Sequence, residues 1–354
     1  MQIPLGKRKV GDGEPVFIVF EAGPTHNGIE SAKALASYAS EAGADAVKFQ
    51  ILDPVRLVPD KSQMFSYEIL VDKKTGEHRE KTEPLYDILM RRYLTFDQWR
   101  EVKAHCDKLG IVFFSTVTFK DEVDFLKDIN AETIKICSGD VNHLPFIRYC
   151  AKTGMSIQLD TGNATIGEVE RAYDEVIQAG NDNVIIHNCP SGYPARLESI
   201  NLKIIPTLKQ MFGCPVAFSD HTPGWEMDIA AIALGANMVE KTITLDRTTP
   251  SVEHLFSIEP DEMKQFVRSV RDLEKALGHY RRTLSPEERK AGVGARRSII
   301  LKEDVEKGQV LDTQVLDYAR PGAGLTPDLT DSILGTRFTR NLIKGHRLDW
   351  EDFG

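Results

Sequence analysis

Short apolar segments alternate with amphipathic helical segments along most of the chain. Apolar residues predict strands at 16–20, 46–49, 111–114, 133–136, 156–159, 184–186, 216–218 and 238–240. All but the last are followed by a helical period before the next strand. In the first helix apolar residues recur at helical spacing from Ile29 to Ala39, and Gly43 stands where a left-handed residue ends a helix. Strands that alternate with helices pair in parallel through right-handed crossovers.

Internal similarity favours a closed (β/α)8 TIM barrel over a doubly wound open sheet. Residues 42–48 and 234–241 both carry Gly-Ala after a helix and feed a strand that ends in charged residues. Equivalent units near both ends of the series are expected of a closed barrel. No GxGxxG motif follows the first strand, which further disfavours a dinucleotide-binding sheet.

The pattern changes at two places. A long polar stretch at 59–82 predicts an excursion over the barrel mouth, and the eighth helix is expected at about 260–277. The charged, Gly- and Pro-containing residues 281–295 are typical of a linker. The short apolar pieces of 296–354 predict a small β-rich domain, which is expected to dock on a barrel because so small a domain is marginal alone. Residues 1–280 would form the barrel domain.

Composition narrows the function classes. The chain has 354 residues, 41% of them hydrophobic and 27% charged, and no apolar run approaches the roughly 18 residues that span a bilayer. With no apolar signal segment at the N-terminus, a cytoplasmic location and no membrane partner are expected. The net charge of −9 disfavours nucleic acid as a partner. Five cysteines without a close pair argue against disulfides or a zinc knuckle.

Polar side chains gather at the predicted carboxyl ends of the strands, where (β/α)8 enzymes carry their active sites. They are Glu21, Lys48, Gln50, Ser115, Thr116, Lys135, Ser138, Asp160, Thr161, His187, Asn188, Ser191, Tyr193, Ser219, Asp220, His221, Glu240, Lys241 and Thr242. Each of these polar residues, taken alone, is explained by contact with water at the end of a strand. Lys48 and Lys135 stand out because both alternate with apolar neighbours and should point into the barrel, where a lysine needs an anion.

The two lysines suggest a site for a phosphorylated carboxylate. Hydroxyls of Thr116, Ser138 and Ser219 would complete it, and the helix expected after Ser138-Gly139 would favour an anion. A Schiff-base role for Lys135 is the rival interpretation. His221 is placed as a metal ligand that Glu21 or Glu240 could approach, although a lone histidine is more often structural. Mixed His and oxygen ligation suits Mn²⁺ or Mg²⁺.

These motifs together resemble the sialic acid (nonulosonic acid) synthase family, which includes N-acetylneuraminate, legionaminate and pseudaminate synthases and related spore-coat polysaccharide proteins. The resemblance covers nearly the whole chain. It is carried by residues 21–28 (EAGPTHNG), 43–50 (GADAVKFQ), 115–116, 134–136 with Ser138-Gly139, Tyr193-Pro194 and 219–222 (SDHT). Residues 297–299 and 320–325 (RPGAGL) resemble the family's C-terminal antifreeze-like (SAF) domain.

The resemblance implies roles for individual residues. Phosphoenolpyruvate would be held by Lys48, Thr116, Lys135, Ser138, Ser191 and Ser219. The amino sugar would contact Gln50, Tyr193 and Glu253, Glu21 would lie beside the reacting carbons, and His221 would bind the divalent metal. The family forms domain-swapped homodimers, in which Arg320 would reach the partner's sugar-acyl group.

Two departures from the family pattern concern the site. Thr242 replaces a second metal-binding histidine, for which His254, or Glu21 with water, would have to compensate. Residues 187–193 (HNCPSGY) differ from the family's Cys-Thr-rich run, which affects the expected phosphate contact of Ser191. With the stretch 59–82, these differences suggest a substrate other than plain N-acetylmannosamine.

The implied reaction condenses phosphoenolpyruvate with an open-chain N-acetylated amino sugar, either N-acetylmannosamine or a 2,4-diacetamido-6-deoxyhexose. A nonulosonic acid and phosphate would form by C–O cleavage, with Glu21 as the proton carrier. One alternative is another phosphoenolpyruvate–aldose condensation, of the octulosonate or heptulosonate type. A second is a catalytically inactive sugar-binding homologue, which the Thr242 position makes worth testing.

Overall fold

Fourteen strands and thirteen helices are formed by the 354 residues that the structure, a computed structural model, describes. The strands are β1 (Gln2–Leu5), β2 (Arg8–Gly11), β3 (Phe17–Glu21), β4 (Ala46–Gln50), β5 (Met64–Asp72), β6 (Glu77–Pro84), β7 (Val112–Thr116), β8 (Thr133–Ile136), β9 (Ser156–Asp160), β10 (Val184–Asn188), β11 (Val216–Asp220), β12 (Met238–Thr242), β13 (Ser298–Leu301) and β14 (Leu316–Ala319). The helices are α1 (Ile29–Ala42), α2 (Pro54–Leu57), α3 (Leu85–Met90), α4 (Phe96–Leu109), α5 (Lys120–Asp128), α6 (Leu144–Ala151), α7 (Ile166–Gln178), α8 (Leu197–Ile200), α9 (Ile204–Phe212), α10 (Glu226–Ala233), α11 (Pro260–Leu277), α12 (Pro286–Ala295) and α13 (Thr330–Ile333).

Eight parallel strands close into a barrel in the order β3-β4-β7-β8-β9-β10-β11-β12, and β12 pairs back onto β3. The eight predicted strands and the (β/α)8 fold are confirmed. Most strands continue one or two residues beyond their predicted carboxyl ends, because the polar residues there still pair with the next strand. Gln50, for example, pairs with Thr116, and Thr242 pairs with Glu21.

The amino end of the barrel is closed by an apolar cluster. Strands β1 and β2 form an antiparallel hairpin whose side chains Ile3, Leu5 and Val10 are buried. They pack with inward-facing residues of the barrel strands, among them Phe17 and Phe114. Because this end is filled by side chains, the opening of the barrel lies at the carboxyl ends of the strands.

The helices that surround the barrel follow the predicted spacing. In α1 the buried face includes Ala32, Leu35 and Ala39, and the helix ends at Gly43 with a φ of 89°, as expected of a left-handed C-cap. None of the helices combines the length and the apolar character needed to cross a bilayer.

The polar stretch at 59–82 forms most of an antiparallel hairpin, β5 and β6. Its alternation buries Tyr67 and Ile69 against Ile88 and Val252. The Tyr67 hydroxyl also lies 3.2 Å from the carbonyl oxygen of Pro250, which belongs to the loop after the last barrel strand. The hairpin is therefore fixed to both sides of the barrel's carboxyl end.

The chain divides into two compact units, Met1–Gly278 and His279–Gly354. Within the predicted linker at 281–295, residues 286–295 form α12. Ser285 Oγ accepts from the Glu288 amide at 3.1 Å and the Glu288 carboxylate accepts from the Ser285 amide at 2.8 Å, which caps the helix. The second unit pairs β13 with β14 over its own apolar core, which includes Ile299 and Leu301.

Candidate active site

A cavity of about 510 Å³ opens at the carboxyl ends of the barrel strands. Charged and polar side chains from the strand ends line its floor, and apolar side chains from α2, α3, β5 and nearby loops line its wall. The lining residues are Glu21, Lys48, Gln50, Ile51, Leu52, Leu57, Phe65, Leu85, Ile88, Leu89, Arg92, Thr116, Thr118, Lys135, Cys137, Ser138, Gly139, Asp140, Asp160, Cys189, Tyr193, His221, Glu240, Val252 and Glu253.

Two lysines meet on one carboxylate at the floor of this cavity. The Nζ atoms of Lys48 and Lys135 each lie 2.7 Å from Oε1 of Glu240, and Lys135 Nζ is also 2.8 Å from Oε2. All three side chains are almost completely buried. The structure thus places both amines inside the barrel and at the same end, as the alternation of their apolar neighbours predicts.

The lysines have further anionic partners. Lys48 forms an ion pair with Glu21, and Lys135 Nζ lies 3.1 Å from Asp160 Oδ1. Three carboxylates therefore face two ammonium groups. Burial raises the pKa of Glu21 against the opposing effect of Lys48, and it raises the pKa of Asp160 against that of Lys135. Burial alone would raise the pKa of Glu240 as well, but the two lysines outweigh it and hold that pKa well below its ordinary value.

A hydrogen-bonded belt across four strands positions Lys135. Lys135 Nζ donates to Ser219 Oγ at 2.9 Å, and Ser219 Oγ lies 2.9 Å from Nδ1 of His187. Nε2 of His187 lies 2.8 Å from Gln158 Oε1, and Gln158 Nε2 donates to Thr133 Oγ1 at 3.1 Å. Because Gln158 Oε1 only accepts, His187 carries its proton on Nε2 and accepts from Ser219 at Nδ1. Burial and the charge of Lys135 lower the pKa of His187, which keeps it neutral.

The residues expected near the sugar line the same cavity. Gln50, Tyr193 and Glu253 all line it, as do Thr116 and Ser138 from the expected phosphoenolpyruvate set. Glu253 has a φ of 76°, a left-handed conformation that side-chain-bearing residues seldom adopt outside functional sites. Burial raises the pKa of Glu253 to about 8.

His221 is oriented for a ligand at Nε2. Its Nδ1 lies 3.1 Å from the carbonyl oxygen of Pro190, so Nδ1 carries the proton and Nε2 keeps a lone pair. The ring of Tyr193 packs against it with centroids 4.8 Å apart. Burial, followed by the charge of Lys135, lowers the pKa of His221 to about 4, so the imidazole is neutral at pH 7. Nowhere do three or more His, Cys, Asp or Glu side chains converge as a metal-binding group.

Three predicted site residues lie elsewhere. Ser191 donates to Asn163 Oδ1 at 2.8 Å and lines a separate depression of about 470 Å³, although Cys189 and Tyr193 of the same loop line the cavity. His254 is buried with its Nδ1 2.8 Å from the Thr244 hydroxyl, and it does not line the cavity. Arg320 is exposed on the second unit.

Sequence reasoning missed the central role of two acidic residues and overlooked a cation. Glu240 and Asp160 were recognisable as polar strand ends, and Glu240 alternates with apolar Val239 in the way that marks Lys48 and Lys135. Arg92 gave no signal, because it follows a short helix outside the strand–helix repeat. Its side chain is nonetheless buried in the cavity wall.

A closed eight-stranded parallel barrel with converging lysines and carboxylates at its carboxyl end defines a (β/α)8 enzyme. Residues 35–282 match the model of the NeuB family, and the chain belongs to this family. It is 35% identical to N,N'-diacetyllegionaminic acid synthase of Legionella pneumophila over 98% of this chain and 97% of the relative. It is 32% identical to the enzyme of the same name from Campylobacter jejuni over 92% and 96% of the two chains.

A solved structure shows the same architecture. The chain superposes on N-acetylneuraminic acid synthetase of Leptospira borgpetersenii, determined in complex with citrate, with a TM-score of 0.71 and 28% identity. The match covers 82% of this chain and 95% of the other. Sequence and structure thus give the same family.

Replacing Glu240 tests whether it is the shared anion of the site. Glu240→Gln leaves two buried lysines with one carboxylate fewer, and it should lower the free energy of unfolding by about 3 kcal/mol. Chemical denaturation followed by circular dichroism measures the change. The matched control Glu80→Gln alters an exposed residue of β6 and should be neutral. Equal stability of both variants would contradict the assignment.

Proposed function

We propose that the protein condenses phosphoenolpyruvate with an open-chain N-acylated amino sugar to give a nonulosonic acid and phosphate. The observation that carries this proposal is the pair of buried lysine amines that share one carboxylate oxygen at the barrel mouth. Such a pair provides two positive charges within reach of one small anion. The names of the relatives, which are synthases of legionaminic acids, support a sugar-acid product.

Phosphoenolpyruvate would bind over the lysine pair. Lys48 and Lys135 supply charge, and the hydroxyls of Thr116 and Ser138, which line the cavity, supply directional hydrogen bonds. Ser219, which the resemblance also places in this set, does not line the cavity and instead positions Lys135, because its hydroxyl is already engaged by Lys135 and His187. Ser191 is absent from this set because it lines a different depression. A strongly anionic substrate arriving beside three carboxylates favours their protonated forms. Glu21 and Asp160, whose pKa values burial already raises, are the groups that would take up protons.

In the reaction, C3 of the enol attacks the aldehyde carbon and the aldehyde oxygen becomes a hydroxyl. Water adds at C2 of the resulting cation and loses one proton, which balances the proton gained by the aldehyde oxygen. The C2–O bond to phosphate then breaks while the C2 hydroxyl gives its proton to the leaving phosphate, which leaves a 2-keto-3-deoxy acid and hydrogen phosphate. Glu21 lines the cavity with a raised pKa, and it is the proton carrier that the site supports best.

The contacts of Lys135 argue against a Schiff-base role. Its amine donates to Glu240 and Ser219 and pairs with Asp160, an arrangement that holds an ammonium ion. A Schiff-base lysine must present a free amine to a carbonyl. Lys135 is therefore assigned to anion binding.

A divalent metal, Mn²⁺ or Mg²⁺, fits this site with His221 as its single protein ligand. The orientation of the ring leaves Nε2 free for such an ion, whereas His254 does not line the cavity and Glu21 is paired with Lys48. Water and substrate oxygens would supply the remaining ligands. When bound, the ion would polarise the aldehyde as a Lewis acid.

Other expectations remain predictions. Gln50, Tyr193 and Glu253 line the cavity where an acceptor would lie, which supports their role in binding the sugar. The antifreeze-like identity of the second unit, the domain-swapped homodimer with its contact from Arg320, and the cytoplasmic location rest on the resemblance and on composition.

Replacing Lys135 tests the proposed reaction. The wild-type enzyme should release phosphate from phosphoenolpyruvate when Mn²⁺ and an acetamido- or diacetamido-hexose are present, and Lys135→Ala should lower the rate about a hundredfold or more. The control Lys264→Ala removes an exposed lysine of α11 and should leave the rate unchanged. Release only with a sugar phosphate would indicate an octulosonate-type enzyme, and no release with any acceptor would indicate an inactive homologue.

Isotope labelling tests the bond that breaks. In H₂¹⁸O, cleavage of the C2–O bond should give phosphate without label, because phosphate keeps the bridging oxygen of phosphoenolpyruvate. Mass spectrometry of the phosphate measures this directly. Phosphate that carries one ¹⁸O atom would mean that water attacks phosphorus, and the proposed mechanism would then be wrong.

Replacing His221 tests the metal ligand. Binding of Mn²⁺, followed by electron paramagnetic resonance, should weaken about tenfold or more in His221→Ala. The control His279→Ala lies in the second unit and should bind as the wild type does. Chelation should abolish phosphate release, and readdition of Mn²⁺ should restore it. Equal binding by both variants would exclude His221 as a ligand.

A further inference from the structure

Arg92 is a buried cation without a carboxylate partner. Its side chain is only 7% exposed and lines the cavity, yet it forms no ion pair, and its Nε has no hydrogen-bond partner in the protein. The adjacent Arg91, in contrast, is exposed and binds Glu83 through both terminal nitrogens. Burying an unpaired guanidinium is unfavourable, so its position in a cavity wall points to a ligand.

The cavity around Arg92 combines apolar side chains with an acidic one. Phe65, Ile88, Leu89 and Val252 form the apolar part of the same wall. Burial lowers the pKa of Arg92, and the charges of Glu253 and Glu21 oppose this shift without cancelling it. A ligand group that fits this wall must offer an acceptor oxygen to Arg92 and an apolar part to its neighbours.

A phosphate or carboxylate satisfies only the first requirement. It would place more negative charge in a cavity that already holds the carboxylates of Glu21, Asp160 and Glu240. An acylamino group satisfies both requirements, because its carbonyl oxygen accepts, its N–H donates and its methyl group is apolar. The planar fork of arginine donors suits such an amide oxygen.

We propose that Arg92 binds the carbonyl oxygen of an acylamino substituent on the acceptor sugar. Glu253 accepts the N–H of the same group, and the apolar wall contacts the acyl methyl. This inference rests on the proposed condensation and deepens it, because it makes the acceptor an unphosphorylated acylamino sugar that this barrel recognises with its own guanidinium.

Acceptors matched in pairs test the contact. Each pair consists of a 2-acetamido- or 2,4-diacetamido-hexose and the sugar that has a hydroxyl in place of one acetamido group. For the wild type, loss of the recognised acyl group should raise the acceptor KM about 10- to 100-fold. For Arg92→Met the acylated sugar should show the same rise, and the further change on removing the acyl group should disappear. The KM for phosphoenolpyruvate should stay unchanged.

Stability separates this role from a structural one. Because Arg92 has no partner to lose, Arg92→Met should unfold at the same temperature as the wild type or higher. Arg268→Met, an exposed position of α11, is the control for both measurements.

Three results would overturn the inference: an unchanged acyl preference in Arg92→Met, a loss confined to phosphorylated acceptors, or no acyl preference in the wild type. The last of these results comes from the wild-type protein alone, so it does not depend on whether a variant folds. Absence of phosphate release with every acceptor would instead refute the proposed function itself.

Discussion

One carboxylate shared by two buried lysines organises the active end of this barrel. The Glu240 carboxylate offsets the repulsion between the ammonium groups of Lys48 and Lys135. Both lysines are almost completely buried, so solvent does little to screen their charges. Without a central anion, two ammonium groups at this separation and burial would be strongly unfavourable. The site is therefore assembled before substrate arrives, and a bound anion competes with or joins Glu240 rather than filling an empty positive pocket.

This arrangement changes how the charge of the site is understood. Inward lysines alone suggest an electropositive pocket, yet Glu21 and Asp160 give the cluster more carboxylates than ammonium groups. The excess matters for chemistry, because burial raises the pKa values of Glu21 and Asp160 and so favours the uptake of a proton by these carboxylates. A site that must bind an anion and also move protons gains from carboxyl groups that become neutral as the anion binds.

The alternation of apolar and polar residues within the strands predicts much of this site. A lysine between apolar neighbours in a short strand points inward, and eight such strands place their ends at one mouth, so the convergence of Lys48 and Lys135 follows from the sequence. The positions of residues in the loops do not follow from the sequence pattern. Ser191 and His254 lie on connections whose course depends on tertiary contacts, and neither residue lines the cavity. The polar stretch 59–82 predicts a segment over the mouth, but no local pattern predicts the position of α3, after which Arg92 enters the cavity wall. The composition of 281–295 is typical of a linker, and only the Ser285 cap signals the helix at 286–295.

The belt from Thr133 through Gln158, His187 and Ser219 to Lys135 has a consequence for how the enzyme can change. The side chains of the belt come from β8, β9, β10 and β11, so its hydrogen bonds form only when these strands keep their register relative to one another. A slip of one residue between any two of them would turn a link to the outside of the barrel. New specificities are therefore free to arise in the loops, whereas the strands that carry the belt can accept substitutions only in coordinated sets.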